Sequence, residues 1–246
     1  MSDSQKGDRG GPGRRWPVGS VASWPKILME LESQSVHDWV YASLRHMILY
    51  NIIKPGEWLR QKDVSAQFQV SRTPVREAFR TLKQEGLVTI VPNYGARVSQ
   101  LSKEEFEEIY ALRIGIEGLA ARITAQRATP EQLRSLRAQL ASLEQLVEGS
   151  DLFQYLKQEW QFRIDCYQLT GRARLIERVI FLREHSERYI YLAYNAKTKV
   201  SESFNFHCRL LAAFEEHEAA QAEAIIQEAL RWTLKNAGTA VSSILT

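Results

Sequence analysis

The sequence predicts a mostly α-helical chain: an N-terminal winged helix-turn-helix with a small β-hairpin wing, followed by an all-α antiparallel bundle. Three observations carry this expectation. Three short helical periodicities between Val36 and Glu85 are followed at once by two extended runs flanking Pro92-Asn93-Tyr94-Gly95. The third periodicity presents arginines four residues apart on one face and apolar residues on the other. After Ser99, apolar residues recur only at helical spacing, with no alternation long enough for a strand.

Taken in order, residues 1–34 are expected to form a disordered tail, because Gly7, Gly10, Gly11, Pro12, Gly13, Pro17 and Gly19 break any periodicity. Val36, Val40, Leu44, Met47 and Ile48 mark the apolar face of a first helix, and Lys54-Pro55-Gly56-Glu57 a turn. A short helix follows over 61–68. Ser71 is placed to cap a third helix that runs to Glu85, with Pro74 tolerated in its first turn and Gly86 ending it. Ala78, Phe79 and Leu82 give this helix its buried side. The extended runs 87–91 and 96–99 then form the hairpin, which closes a first domain spanning 35–99. The second domain, 100–246, is expected to contain about six helices: 102–127, opened by the capping box Ser102 to Glu105, then 129–149, 151–170, 173–195, 201–215 and 218–243.

Composition narrows the function. The chain has 246 residues, of which 44% are hydrophobic, enough to build real cores. No apolar run is long enough to span a membrane or to serve as a secretory signal, and Cys166 and Cys208 form no C-x-x-C pair. A reducing cytoplasm is the expected location. Net charge is only +3, but it is unevenly distributed: 35–98 holds nine Lys/Arg against five Asp/Glu, whereas 99–246 holds 18 against 20. Basic charge concentrated in one short segment suits phosphate binding.

The segment from Val70 to Val88 is where the chemistry is most legible. Ser71, Arg72 and Thr73 stand at a helix start, where side chains and free amides meet phosphates and base edges. Arg72 and Arg76 share a face, and arginine can hydrogen-bond guanine in two places within the major groove. Arg60 and Lys62, at the start of the preceding helix, suit backbone phosphates. No nucleophile elbow, P-loop or H-E-x-x-H occurs, and the five histidines are scattered, so no enzyme is expected.

Over 35–98 the sequence resembles the winged-helix reader of GntR-type regulators. It keeps their Ser71 to Ala78, Glu85 to Val88 and Pro92-Asn93-Tyr94-Gly95-Ala96, with Gln69 for the usual Gly and Phe79 for Leu. The resemblance implies DNA contacts by Lys62, Ser71, Arg72, Thr73 and Arg76, and a wing tip at Asn93–Gly95 that enters the minor groove. Residues 100–240 resemble the FCD effector domain of one subfamily, through Ile109 to Ala121, Leu169-Thr170-Gly171 and Ser203 to His207. That resemblance implies a homodimer on palindromic double-stranded operator DNA, commonly a repressor, whose affinity changes when a small metabolite such as a carboxylate enters the bundle.

Many FCD domains hold a divalent metal on Asp-x-x-x-His and two later histidines. Here those positions fall on Glu159, Arg163, His207 and Ala229, so no metal or other cofactor is expected. Arg113, Glu159, Arg163 and His207 are the candidate effector contacts. Two alternatives stay open at this point. Arg163 either receives a carboxylate or pairs with Glu159 one turn away, and the bundle either senses a ligand or only dimerises, as in an orphan or architectural DNA binder.

Overall fold

The computed structural model describes residues 35–92, 94–149, 151–194 and 197–245. The expected tail, and with it the wing-tip residue Asn93, lies outside the described residues. The chain divides into two compact units, one ending at Gln100 and one beginning at Leu101.

The first unit opens with α1 (Val36–Leu49), where Ser35 and Asp38 form a reciprocal capping box. Next come β1 (Trp58–Leu59), α2 (Gln61–Phe68), α3 (Arg72–Gln84), β2 (Val88–Val91) and β3 (Gly95–Val98). Leu44, Val64, Val75, Phe79 and Leu82 are buried at its centre. The hairpin is the expected one, with Val88 opposite Val98 and Val91 opposite Gly95. The sheet, however, has three strands rather than two, because Trp58 and Leu59 pair with Arg97 and Ala96. A two-residue strand is too short to leave a period in the sequence. It explains Gly95, whose φ of +123° would strain any other residue and whose position would put a Cβ 2.4 Å from the Leu59 carbonyl oxygen.

One local expectation fails instructively. Ser71 occupies the N-cap of α3, yet its side chain accepts no cap hydrogen bond. An N-cap oxygen draws on the amides of the second or third helical residue, and the third is Pro74, which has none. The Ser71 hydroxyl and the first-turn amides of α3 are therefore left to face outward. At the end of α2, Gln69 adopts a left-handed conformation, φ 55° and ψ 39°.

The second unit is helical throughout: α4 (Lys103–Arg127), α5 (Pro130–Glu144), α6 (Leu152–Gln168), α7 (Ala173–Ala193), α8 (Lys197–Glu215) and α9 (Ala219–Leu245). Thr129 and Gln132 cap α5 reciprocally, as their spacing allows. The eighth helix begins four residues before its expected start. The long α4 lies along α9 and also packs against α6, α7 and α8, which makes it the axis of the bundle. Gly118 permits the close approach to α9, where Gln227 and Glu223 lie within 3.3 Å of a Cβ built there.

Residues other than glycine lose about 1–2 kcal/mol in the left-handed conformation. Gln69→Gly is therefore expected to stabilise the chain by about 1 kcal/mol, read as a higher denaturation midpoint at unchanged slope.

Candidate nucleic-acid interface and buried charge network

In the first unit, α2, α3 and the wing enclose a cleft of about 590 Å³. Arg60, Lys62, Arg72, Arg76 and Arg80 line it together with Gln61, Phe79, Tyr94 and Gly95, and no acidic residue does. The three α3 arginines stand at successive four-residue steps, so they form one ridge along the helix. Ala78 and Leu82, on the opposite side, hold that ridge outward by burying themselves in the core. Glu85, at the far end of α3, accepts a hydrogen bond from Tyr41 and pairs with Arg45 at 2.8 Å, which ties α3 to α1.

Ser71 and Thr73 are exposed at the start of α3, beside Arg72. Of the residues proposed from sequence, Arg60, Lys62, Arg72, Arg76 and Gly95 come together in the cleft. Among the polar lining residues, Gln61 and Arg80 were not anticipated, and Tyr94 falls within the expected wing tip. Arg80 was legible in principle, being one turn beyond Arg76. Tyr94 is 62% exposed and leans on Trp58 with ring centroids 5.7 Å apart, a contact created by the unanticipated strand β1.

In the second unit the four residues singled out from sequence also meet, inside the bundle. Arg113 Nε donates to Glu117 at 2.7 Å, and its Nη1 donates to Ser186 Oγ at 2.9 Å. Arg163 Nη2 donates to the other Glu117 oxygen at 2.5 Å, and its Nη1 reaches Glu159 at 3.4 Å. Tyr167 Oη donates to Glu117 at 2.9 Å. Helices α4, α6 and α7 are thus joined through one carboxylate that is fully buried. The i,i+4 pairing of Arg163 with Glu159 is present, but Glu117 is the closer partner. Glu117, Tyr167 and Ser186 were not proposed as site residues; the four-residue step from Arg113 to Glu117 was their only sequence signal.

His207 is 2% exposed, with Nε2 3.3 Å from Glu159. That separation is within ion-pair range but off the line of a hydrogen bond, and neither ring nitrogen has a hydrogen-bond partner. His207 is thus a core residue set beside Glu159. Burial pushes both carboxyls upward, yet the groups that face them outweigh it. Arg113 and Arg163 hold Glu117 below the ordinary carboxylate range, while His207 and Arg163 hold Glu159 at about 2.

A divalent metal does not fit here. Of its four family positions, one is the guanidinium of Arg163, directed at the carboxylate that would ligate, and one is the methyl of Ala229. Among the described residues, no three His, Cys, Asp or Glu side chains converge as a metal site would need. No described helix is long and apolar enough to cross a membrane.

Comparison with known proteins agrees with both halves. Residues 37–98 match the model for bacterial regulatory proteins of the gntR family, and residues 108–231 match the FCD domain. The chain belongs to the GntR family, with an FCD domain. It is a DNA-binding transcriptional regulator and not an enzyme. It is 26% identical over 199 residues to the transcriptional repressor RspR of Escherichia coli, covering 81% of this chain and 87% of that one. It is 34% identical over 109 residues to the regulator YdhC of Bacillus subtilis, where the match spans about half of that protein (49%) and 44% of this chain. The solved structure of E. coli McbR/YncC aligns at a TM-score of 0.65 and 25% identity, over 80% of this chain and 94% of McbR.

Glu117 is the shared acceptor of two buried guanidinium groups, and removing one partner of such a pair costs about 3–5 kcal/mol. Glu117→Gln is expected to lose that much stability in chemical denaturation. For the native protein the sign follows from depressed carboxyls. Their contribution is fully present above pH 4.5 and is lost on acidification towards about pH 2, the range set by Glu159.

Proposed function

We propose that this regulator is a homodimeric, sequence-specific operator-binding protein that represses transcription and is released or retained by a small metabolite in its helical unit. The observation that carries the DNA reading is the acid-free cleft with its ridge of arginines. In this reading Arg72 and Arg76 address base edges in the major groove, with Arg80 extending the ridge. Arg60 and Lys62, with the Ser71 and Thr73 hydroxyls and the first-turn amides of α3, hold phosphates. Asn93 and Gly95 bring the wing tip to the minor groove. The repressor sense is supported by the name of RspR. Location with the chromosome in the cytoplasm follows from the DNA reading.

The dimer reading is supported by α4. Leu112 and Leu119 are 52% and 42% exposed, lie seven residues apart on one side of the helix, and bracket Gly115, beside which there is open space. A second copy crossing at Gly115 would bury both leucines against their equivalents, the self-complementary arrangement of a two-fold interface. Two readers joined this way match two half-sites of a palindrome. The effector reading is supported by a bundle core built around ionised groups rather than apolar ones. A ligand that favours one bundle arrangement changes operator affinity by its differential binding to the two arrangements. A ligand-independent dimer is the second reading, and it predicts operator binding that no metabolite alters.

Two experiments test this. Arg76→Ala is expected to weaken binding to a selected operator by about 1–3 kcal/mol and to relax base preference in a titration series. Lys62→Ala should weaken all sequences alike and reduce the salt slope by about 0.9. Unchanged preference in Arg76→Ala would remove the recognition assignment. Leu119→Asp is expected to shift the sedimentation mass from dimer to monomer; a dimer that persists unaltered would place the interface elsewhere.

A further inference from the structure

The three strands of the wing sheet each turn one residue outward at the same level. Trp58 of β1 and Thr89 of β2 both stand opposite Arg97 of β3, so the three form a row straight across the sheet. All three are exposed, whereas Leu59, Val88, Ala96 and Val98, at the alternate positions, are buried. Ile90, which lines the cleft, follows Thr89 and so belongs to the other face. The row therefore lies on the side of the wing turned away from the cleft.

Its chemistry is that of a built surface. Trp58 is 40% exposed, with the Tyr94 ring 5.7 Å away on one side and the Arg97 guanidinium 5.7 Å from its ring centroid. Arg97 Nε donates to the Gly56 carbonyl at 3.0 Å, which fixes the guanidinium without neutralising it. No acid pairs with Arg97 among the described residues, and Glu57, next to Trp58 in sequence, turns its carboxylate to the Lys54 amide at 3.3 Å. An aromatic face attracts a cation but leaves its charge in place. Tyr94 belongs to both surfaces, since it lines the cleft and leans on Trp58. The row thus continues the basic cleft around the wing tip.

A wing tip in a minor groove has a sugar-phosphate strand on either side of it, because that groove is only about 6 Å wide. The cleft face, with Arg60 and Lys62, meets the strand that separates the minor groove from the major groove read by α3. The outer face meets the strand across the groove. We propose that Arg97, Trp58 and Thr89 hold this second strand, with the guanidinium on a phosphate, the indole against deoxyribose and the hydroxyl donating to a phosphate oxygen. This rests on the reading above that the wing tip enters the minor groove, and deepens it. Contacts of this kind set register and affinity and carry no base information.

Salt-dependent titrations of the full chain with a selected operator and with an unrelated duplex test this. Arg97→Gln should weaken both alike, by about three- to tenfold at fixed salt, and reduce the slope of log affinity against log salt by about 0.9. Arg97→Lys, which restores a charge, should recover the slope. Thr89→Glu, which sets an acid directly opposite Arg97, should act like Arg97→Gln while leaving the arginine on Trp58, and it serves if the Gln variant does not fold. In duplexes carrying single neutral methylphosphonates, the wild type should lose affinity at a position on the strand across the minor groove, and Arg97→Gln should be insensitive there. An unchanged salt slope in Arg97→Gln would overturn the assignment and leave the row to a protein partner. So would a loss in Arg97→Gln that Thr89→Glu does not reproduce, since Arg97 would then only support the wing. A sensitive position on the same strand as the one that depends on Lys62 would also overturn it, by placing the wing outside the minor groove. Arg76→Ala measured in parallel separates the claims: relaxed base preference there, with an unchanged slope in Arg97→Gln, keeps the recognition helix and removes the outer face.

Discussion

Glu117 sits at the centre of the helical unit with a guanidinium on each of its two oxygens and a tyrosine hydroxyl on one of them. A carboxylate with no exposure at all survives there only because every direction in which it could have met water is answered by a donor. The answer comes from three helices: Arg113 from α4 itself, Arg163 and Tyr167 from α6, and through Arg113 the Ser186 hydroxyl of α7. Apolar packing would tolerate some slippage of these helices. A charge network tolerates little, because each shift that lengthens a contact exposes a buried ion to its desolvation cost. The register of the bundle is thus pinned by polar geometry, and the apolar stripes of α4 and α9 fill in around it.

The same network explains how the fold departs from its metal-binding relatives. A divalent ion and a guanidinium both concentrate positive charge, but only the ion needs several donor side chains around it. With Arg163 in place, the remaining ligand positions are released from that duty: Ala229 can be a methyl, and Glu159 serves Arg163 and His207 instead. The cation has become part of the covalent chain. What it gives up is adjustability, since a guanidinium held by two carboxylates presents no open coordination position.

The DNA-facing unit is organised by a different constraint, the exclusion of negative charge from one surface. Glu85 is held by Tyr41 and Arg45 at the end of α3, while Arg60, Lys62, Arg72, Arg76 and Arg80 line the cleft with no acid among them. Pro74 contributes by subtraction. It removes the amide that would have occupied Ser71, so a hydroxyl that normally serves its own helix faces outward. The wing is held close by Gly95, where the Leu59 carbonyl leaves no room for a side chain.

Much of this was legible without coordinates. Helix boundaries followed from periodicity and from a local cap such as Ser102, which accepts from the Glu105 amide, because those interactions span three or four residues and the chain itself holds the partners together. The arginine ridge of α3 was legible for the same reason. Strand β1 was not, since two residues have no period and their partners lie nearly forty residues away. Neither was the partnering of the buried charges. Sequence marked Arg113, Glu159, Arg163 and His207 as unusual, but each arginine could equally have faced a ligand or an acid. Only the packing of α4 against α6 and α7 decided that Glu117 takes two of the arginines. Sequence alone determined which residues are helical, which face of each helix is apolar and where basic charge collects, because those properties act over a turn or two. Tertiary structure decided which charges neutralise one another, because ion pairing depends on distances of a few ångströms between residues tens of positions apart.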